Sequence, residues 1–305
     1  MNSNLIYVGG LPRSGSTWLG NVIGAHSKVR YYHEPFHPGR NHKLNPFNNF
    51  FQYLSQNSNT ELAKKASFYV EQLTLFSVPR LYDVQDIRNQ RKISFWYHFL
   101  HKQYSQFKQQ VPLIKDPPAI LISEWLDRHF DVKMIFTIRH PAAFVNSSKK
   151  AKWHYGFQTF LHQPELMEDY LFSFEKEMNA DIALGEQKYS LENATLFWRI
   201  MQHVINEYYR KYSEWFFVRH EDLLINPIKE FEKLFDFINL EMDQSAKNYL
   251  NQSIKVDDGT NKARLKRDPK EVLTEWKQGL SKAEIEYIKI SSQSEWELFY
   301  SESDW

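Results

Sequence analysis

The stretch Gly10-Leu11-Pro12-Arg13-Ser14-Gly15-Ser16-Thr17 follows the short apolar run Leu5-Ile6-Tyr7-Val8 and leads into a helical pattern from Thr17 to about Ala25. A buried strand, a glycine-bearing loop and a helix N-terminus, in that order, make an anion site. Exposed backbone N–H groups and the positive end of the helix dipole converge on a phosphate there. The spacing Gly10-x4-Gly15 is that of a phosphate-binding loop, yet Ser16 stands where such loops carry lysine. Arg13 supplies a cation at another point of the loop. Metal-dependent nucleotide hydrolysis also wants a strand ending in a carboxylate that holds Mg²⁺. The best candidate strand, Met134 to Ile138, ends in Arg139 instead. The loop therefore suits a phosphate-bearing ligand and disfavours metal-dependent NTP chemistry. A kinase or NTPase, and a non-catalytic nucleotide-binding module, are the rival readings from other classes.

The elements that must position this loop read as alternating strands and helices. Besides residues 5–8, strands are expected at 111–114, 132–138 and 215–218, and helical stretches near 61–76, 94–108, 119–129, 141–150, 192–213 and 227–238. Such alternation implies an α/β fold of P-loop-like, three-layer type, with a central parallel sheet. Residues 1–305 read as one domain with helical insertions at about 40–108 and 152–192. Ser281-Lys282-Ala283-Glu284 has capping-box spacing and should open a C-terminal helix.

Composition adds exclusions. Net charge is +1, so the whole-protein field gives no reason to expect nucleic acid or a membrane surface as partner. No cysteine is present, which removes disulfides, thiolate catalysis and cysteine-based zinc sites. Met1-Asn2-Ser3-Asn4-Leu5 lacks the basic and apolar regions of a signal peptide, and no apolar run nears the ~20 residues of a spanning helix. A cytoplasmic protein is expected. The 23 Phe, 17 Tyr and 9 Trp suit an aromatic-lined pocket or simply a large aromatic core.

Taken with these features, Pro12-Arg13-Ser14-Gly15-Ser16-Thr17-Trp18-Leu19 resembles the 5′-phosphosulfate loop of sulfotransferases that use 3′-phosphoadenosine-5′-phosphosulfate (PAPS), in the arginine version of carbohydrate and protein-tyrosine sulfotransferases. Ile135-Phe136-Thr137-Ile138-Arg139, then His140-Pro141 and Ser147, resembles the same family's 3′-phosphate site. A guanidinium forks onto phosphate oxygens, and a hydroxyl two turns into the next helix adds a hydrogen bond; Ser148 is the alternative. Ile114-Lys115-Asp116-Pro117 resembles the segment whose lysine contacts the transferring group. His33-Glu34-Pro35 lies at the spacing of the family's catalytic glutamate, 21 residues beyond the loop arginine. Cytosolic small-molecule sulfotransferases place a catalytic histidine two positions after the lysine. Pro117 occupies that position here, which shifts the expected base to Glu34, with His33 and His37 as rivals. Val218-Arg219-His220-Glu221-Asp222-Leu223 resembles an Arg-Tyr-Glu-Asp-Leu segment whose aromatic residue meets adenosine, so His220 takes that place. Lys266-Arg267, with Arg264 as rival, resembles the basic loop over the 3′-phosphate, and Ser253 is a further candidate near the sulfuryl group.

The resemblance implies in-line sulfuryl transfer from PAPS, leaving PAP, with no metal. Glu34, ionised at neutral pH because a free carboxyl titrates near 4.3, accepts the acceptor's proton. Arg13, Lys115, the loop N–H groups and the hydroxyls of Ser16 and Thr17 stabilise the departing 5′-phosphate. For the acceptor the clue is charge: residues 154–198 hold eight Asp/Glu against two Lys, a net −6. A field of that sign favours a neutral or cationic acceptor over a polyanion. The expected acceptor is a small metabolite or natural product, then a glycan, then a protein tyrosine.

Overall fold

The computed structural model describes residues 5–40, 44–78, 100–185, 188–254 and 269–305. Five strands form one all-parallel sheet flanked by helices, in the order β2-β3-β1-β4-β5. Their ranges are β1 Leu5–Gly10, β2 Val29–His33, β3 Val111–Lys115, β4 Val132–Ile138 and β5 Phe216–Arg219. By contacts the chain divides into two compact units. Of the described residues, the first takes those within Met1–Gly9, Ser16–Ile135 and Phe235–Tyr249; the second takes Gly10–Gly15, Phe136–Leu234 and those within Leu250–Trp305.

In the first unit, every residue of β1 is buried, as expected of a strand covered on both faces. β1 lies on β3 with Tyr7 opposite Ile114 and Val8 opposite Lys115. β2 lies on the other side of β3 with His33 opposite Lys115. Lys115 therefore ends β3 between Val8 and His33, and Val8 is two residues short of the glycine loop. Helix α1 (Ser16–Gly24) buries Leu19, Val22 and Ile23 completely. Each such side chain contributes roughly 1.5–3 kcal/mol on leaving water. Gly20 lets α1 lie close, since a Cβ there would stand 3.1 Å from both the Lys115 Cγ and the Tyr31 ring. Helix α2 (Glu61–Thr74) is capped by Thr60, whose hydroxyl accepts from the Ala63 N–H. Pro117–Ile122 winds as a 3-10 segment before α3 (Ser123–His129), where the sequence pattern predicts one helix over 119–129. The prolines at 117 and 118 withhold two N–H donors, so the α ladder begins late. Of the stretch expected to be helical near 94–108, residues 94–99 lie outside the described residues and 100–107 are helical.

The second unit is built around α4 (Pro141–Ala151) and α6 (Leu191–Lys211). Pro141 opens α4 at the position where a missing N–H costs nothing. α5 (Glu175–Ala183) precedes α6, and α6 presents Ala194, Phe197, Trp198, Met201, Ile205 and Tyr208 inward at helical spacing. The Phe197 ring stacks on Tyr155 at 3.9 Å and on Phe144 at 6.0 Å. β5 leads into α7 (His220–Ile225) and α8 (Pro227–Phe237), and the chain then passes through α9 (Gln244–Ser253), most of which belongs to the first unit. α10 (Pro269–Gly279) and α11 (Lys282–Ser291) both pack on α4. The capping box that opens α11 is present, with Ser281 and Glu284 exchanging backbone hydrogen bonds. No described helix is long and apolar enough to cross a membrane.

Candidate active site

In the first unit, the chain turns sharply as it leaves β2. Glu34 takes a left-handed φ of 49°, which costs a non-glycine residue on the order of 1–3 kcal/mol and must be held in place. The Glu34 N–H donates to the Lys115 carbonyl at 2.7 Å, and the Lys115 Nζ donates to Glu34 Oε1 at 2.6 Å. The lysine side chain is 1% exposed and the carboxylate 20%, so the pair opens outward through Glu34. His33 brings Nε2 to 3.7 Å from the same oxygen, while its Nδ1 pairs with the Tyr31 hydroxyl at 2.9 Å. His37 accepts from the Gly39 N–H through Nδ1 and meets the edge of Phe50. Of the three candidate bases, Glu34 is the one bonded to the strand-end lysine.

Asp116 completes this half. It is fully buried, and its Oδ2 accepts from the Phe36 N–H at 2.7 Å. Its carbonyl accepts from the Tyr7 hydroxyl, and Tyr69 donates to the Pro35 carbonyl. Burial, then the Asp116 charge, push the Tyr7 hydroxyl well above its ordinary pKa, so it stays a donor. These bonds fix the turn through residues 34–36. Sequence reasoning quoted Asp116 without giving it a part; the signal was a carboxylate directly after a strand-end lysine. Ser16, Thr17 and Trp18 form the first turn of α1, whose leading N–H groups have no intrahelical acceptor; Thr17 is exposed, Ser16 and Trp18 are buried.

In the second unit, the loop Gly10–Gly15 needs both glycines. Gly10 has φ 127°, and a Cβ there would strike the Thr137 carbonyl at 2.4 Å. Gly15 has φ 85°, and a Cβ would lie 2.1 Å from His220 Nδ1. Ser14 ties the turn shut: its hydroxyl donates to the Leu11 carbonyl at 2.6 Å and lies 2.5 Å from Thr137 Oγ1. His220 thus packs against the loop itself. Burial, and secondarily Arg139, hold it down to a pKa of about 3, so it is neutral.

Arg13 is exposed, with φ 70°. Its Nε donates to Ser147 Oγ at 2.9 Å, and its guanidinium lies over the Trp153 ring, 5.7 Å from the centroid. Arg139, at the end of β4, donates through Nη1 to the Arg13 carbonyl. Arg13, Arg139 and Ser147 are thereby joined. Ser148 is fully buried and paired with the Tyr155 hydroxyl at 2.9 Å, which leaves Ser147 as the serine of this cluster. Burial lowers the Arg139 pKa, Glu221 opposes the shift and Arg13 adds to it; a guanidinium remains charged regardless. Glu221 accepts from the His140 N–H at 3.1 Å and from the Tyr300 hydroxyl at 2.9 Å. His140 is boxed by Trp276, Tyr300 and Trp305 and held near a pKa of about 3 by burial. Sequence reasoning missed Glu221's part, although it stood in a quoted motif. Ser253 donates to the Leu250 carbonyl. Lys266, Arg267 and Arg264 lie outside the described residues.

Comparison with known proteins gives one family and a set of solved folds. The family described as "Sulfotransferase family" matches residues 6–244. No curated protein matches the chain by sequence. Among solved structures, the sulfotransferase domain of the Synechococcus PCC 7002 olefin synthase aligns over 98% of this chain and 96% of its own, at 20% identity and a TM-score of 0.52. That likeness bears on the fold. The sulfotransferase domain from the curacin biosynthetic pathway aligns over 94% and 96% at 17% identity and a TM-score of 0.47. Mouse sulfotransferase SULT7A1 complexed with PAP aligns over 100% and 88% at 9% identity and a TM-score of 0.46.

Proposed function

The chain belongs to the sulfotransferase family, and we propose that it transfers a sulfuryl group from PAPS to the hydroxyl of a small metabolite or natural product, in the cytoplasm and without a metal. The observation that carries this reading is the Lys115–Glu34 ion pair at the end of β3. It sets a cation and a carboxylate at the ends of two neighbouring strands, with Lys115 opposite Val8, two residues before Gly10.

The donor supplies an activated sulfuryl group and a phosphate leaving group. Glu34 takes the acceptor's hydroxyl proton as the new S–O bond forms. Lys115 and the first-turn N–H groups and hydroxyls of Ser16 and Thr17 receive the charge that builds on the bridging oxygen as the old S–O bond breaks. The pairing with Lys115 holds the Glu34 carboxylate in place at the end of β3. In the second unit, the guanidinium and hydroxyl of the Arg139–Ser147 cluster fit a phosphate group. Arg13, expected from the sequence beside Lys115 on the departing group, is held by Nε to Ser147. His220 is proposed as the residue beneath the loop that shapes the adenosine side, and Lys266 and Arg267 as a basic cover for the phosphate.

Support for the acceptor class comes from charge. Glu177, Asp181 and Glu192 from the acidic segment line a cleft of about 290 Å³ in the second unit, together with Arg199 and Tyr287. A surface of this sign repels sulfated glycans and tolerates neutral or cationic molecules. Calorimetric titration with PAP and with ATP–Mg²⁺ tests the donor: PAP should bind, and tight ATP–Mg²⁺ binding without PAP binding would restore the kinase reading. Incubation with PAPS and fractionated metabolites, followed by mass spectrometry for sulfonate addition, tests turnover and separates an enzyme from a nucleotide-binding module.

A further inference from the structure

The turn that carries Glu34 is covered by a second stretch of the first unit. The Glu34 carbonyl accepts from the His37 N–H at 3.2 Å. Residues 45–54 then return over this turn: Asn45 Nδ2 donates to the His37 carbonyl at 3.3 Å, and the Phe50 ring meets the His37 imidazole edge-on at 4.7 Å. Phe47 meets Phe36 in the same manner at 5.3 Å, and the Leu54 N–H donates to the Leu121 carbonyl at 3.4 Å. The stretch is fastened at both ends, yet its middle does not settle into the core. Phe50 is 43% exposed, and Phe51 takes a left-handed φ of 55°, which a residue with a side chain adopts only at a cost. Phe51 lines a narrow slot with Phe36, Phe47, Pro118 and Ile122, and the polar members of its wall are the uncharged amides of Asn49 and Gln52. The slot holds about 10 Å³, room for one methylene-sized group and not for a sugar ring. Phe36 is two residues beyond Glu34, and Pro118 is three beyond Lys115.

We propose that this slot, with Phe50 and Phe51 as its outer wall, is an acceptor subsite, and that it selects an alcohol carrying a slender, uncharged apolar group. The inference rests on the sulfotransferase reading with Glu34 as base, and it narrows the acceptor of that reading. The left-handed turn at Phe51 sets two consecutive phenylalanines to different tasks, Phe50 on His37 and Phe51 on the slot. Phe50 thereby ties the apolar wall to the residue whose N–H closes the Glu34 turn. A wall with no charged member gives a sulfated glycan or an acidic peptide nothing to pair with. A sugar's hydroxyls would enter it without hydrogen-bond partners, whereas an alkyl end loses only its contact with water.

The test is PAPS-dependent sulfation, by the full chain, of straight-chain primary alcohols from ethanol to octanol, with methyl β-glucoside as the polar counterpart. In wild type, kcat/KM should rise about fourfold per methylene over part of the series, the worth of one buried methylene, with the gain in KM. Phe51→Ala should flatten that rise. Phe50→Ala, at an exposed position that tolerates truncation, should weaken it and serves if Phe51→Ala fails to fold. A kcat/KM that ignores chain length, a preference for the glucoside, or a rise unchanged in both variants would overturn the proposal. Saturation-transfer NMR with octanol covers the case in which no alcohol turns over. Octanol contacts that are lost in Phe51→Ala, in a protein that sulfates nothing and does not bind PAP, would leave the slot standing and sink the sulfotransferase reading. Absence of octanol binding would sink the slot and leave that reading intact.

Discussion

Lys115 Nζ and Glu34 Oε1 stand 2.6 Å apart although 81 residues separate them, and the lysine is almost wholly buried beside a carboxylate that reaches the surface. The arrangement lets one pair do two things. Lys115 anchors the Glu34 carboxylate, and Glu34 offsets a cation that burial alone would disfavour. Both depend on the left-handed turn at Glu34, which Asp116 pins through the Phe36 N–H.

Glu34→Gln should therefore lower turnover by about 10²-fold or more while PAP affinity changes little, because glutamine cannot take the proton. The same change removes the charge facing Lys115, so the melting temperature should fall as well. Turnover at saturating donor and acceptor, measured beside PAP affinity, separates base from brace. Weakened PAP binding with near-normal saturated turnover would mark Glu34 as a brace, and His33 would be the next residue to examine.

Arg139→Ala should cost ~1.5–3 kcal/mol of PAP binding and far less for adenosine 5′-monophosphate, since a bidentate phosphate contact is lost. The motivation is its place at the end of β4, with Nη1 on the loop and Ser147 in the same cluster. Titration of both nucleotides reads the difference. Equal weakening would remove Arg139 from the 3′-phosphate.

Much of this scaffold was legible in the sequence, for physical reasons. β4 at Val132–Ile138 matches its expected range because its buried stretch Met134–Ile138 is apolar but for Thr137 and rich in β-formers. The loop and α1 were legible because glycines and a following helix pattern are local signals, as is the Ser281 capping box. What the sequence left dark is long-range. The Lys115–Glu34 bond and the Arg13–Ser147 bond, which spans 134 residues, depend on strand register and loop conformation, and neither leaves a local trace. The packing of His220 on Gly15 was equally hidden, because an imidazole in a motif position normally filled by an aromatic ring looks like a ligand contact.

That packing makes Gly15→Ala a sharp probe. The new methyl would meet His220 Nδ1 at 2.1 Å and sit on a φ of 85°. Stability and PAP affinity should both drop. Gly15→Ala with His220→Ala should recover part of the stability, because the clash is relieved and the strained φ is not. No recovery in melting temperature would show that backbone strain alone accounts for the loss.

Turnover should survive excess EDTA. β4 ends in Arg139 where a Mg²⁺-dependent phosphotransferase ends in a carboxylate, and Lys115 provides the charge a metal would otherwise supply. Activity lost in EDTA and regained with Mg²⁺ would contradict the proposed mechanism.

The last prediction concerns acid. His140 and His220 are both held near a pKa of about 3 by burial, against 6.5 in a free chain. Between those values the unfolded chain binds protons that the folded chain refuses. Their contribution is thus fully present above pH 6.5 and drains away as pH falls toward 3. Each histidine should remove about 1.4 kcal/mol of stability per pH unit in that window. Glu221, which burial raises above the usual carboxylate range, acts in the opposite sense: its penalty is relieved as pH falls through its folded value. A difference measurement isolates one histidine from the rest. His140→Phe keeps an aromatic ring in the box of Trp276, Tyr300 and Trp305 and has nothing to titrate. Urea melts of wild type and His140→Phe from pH 7 to pH 4.5 should diverge, the variant losing stability less steeply by about one proton. Parallel curves would show that His140 is protonated in the folded protein as readily as in the unfolded chain.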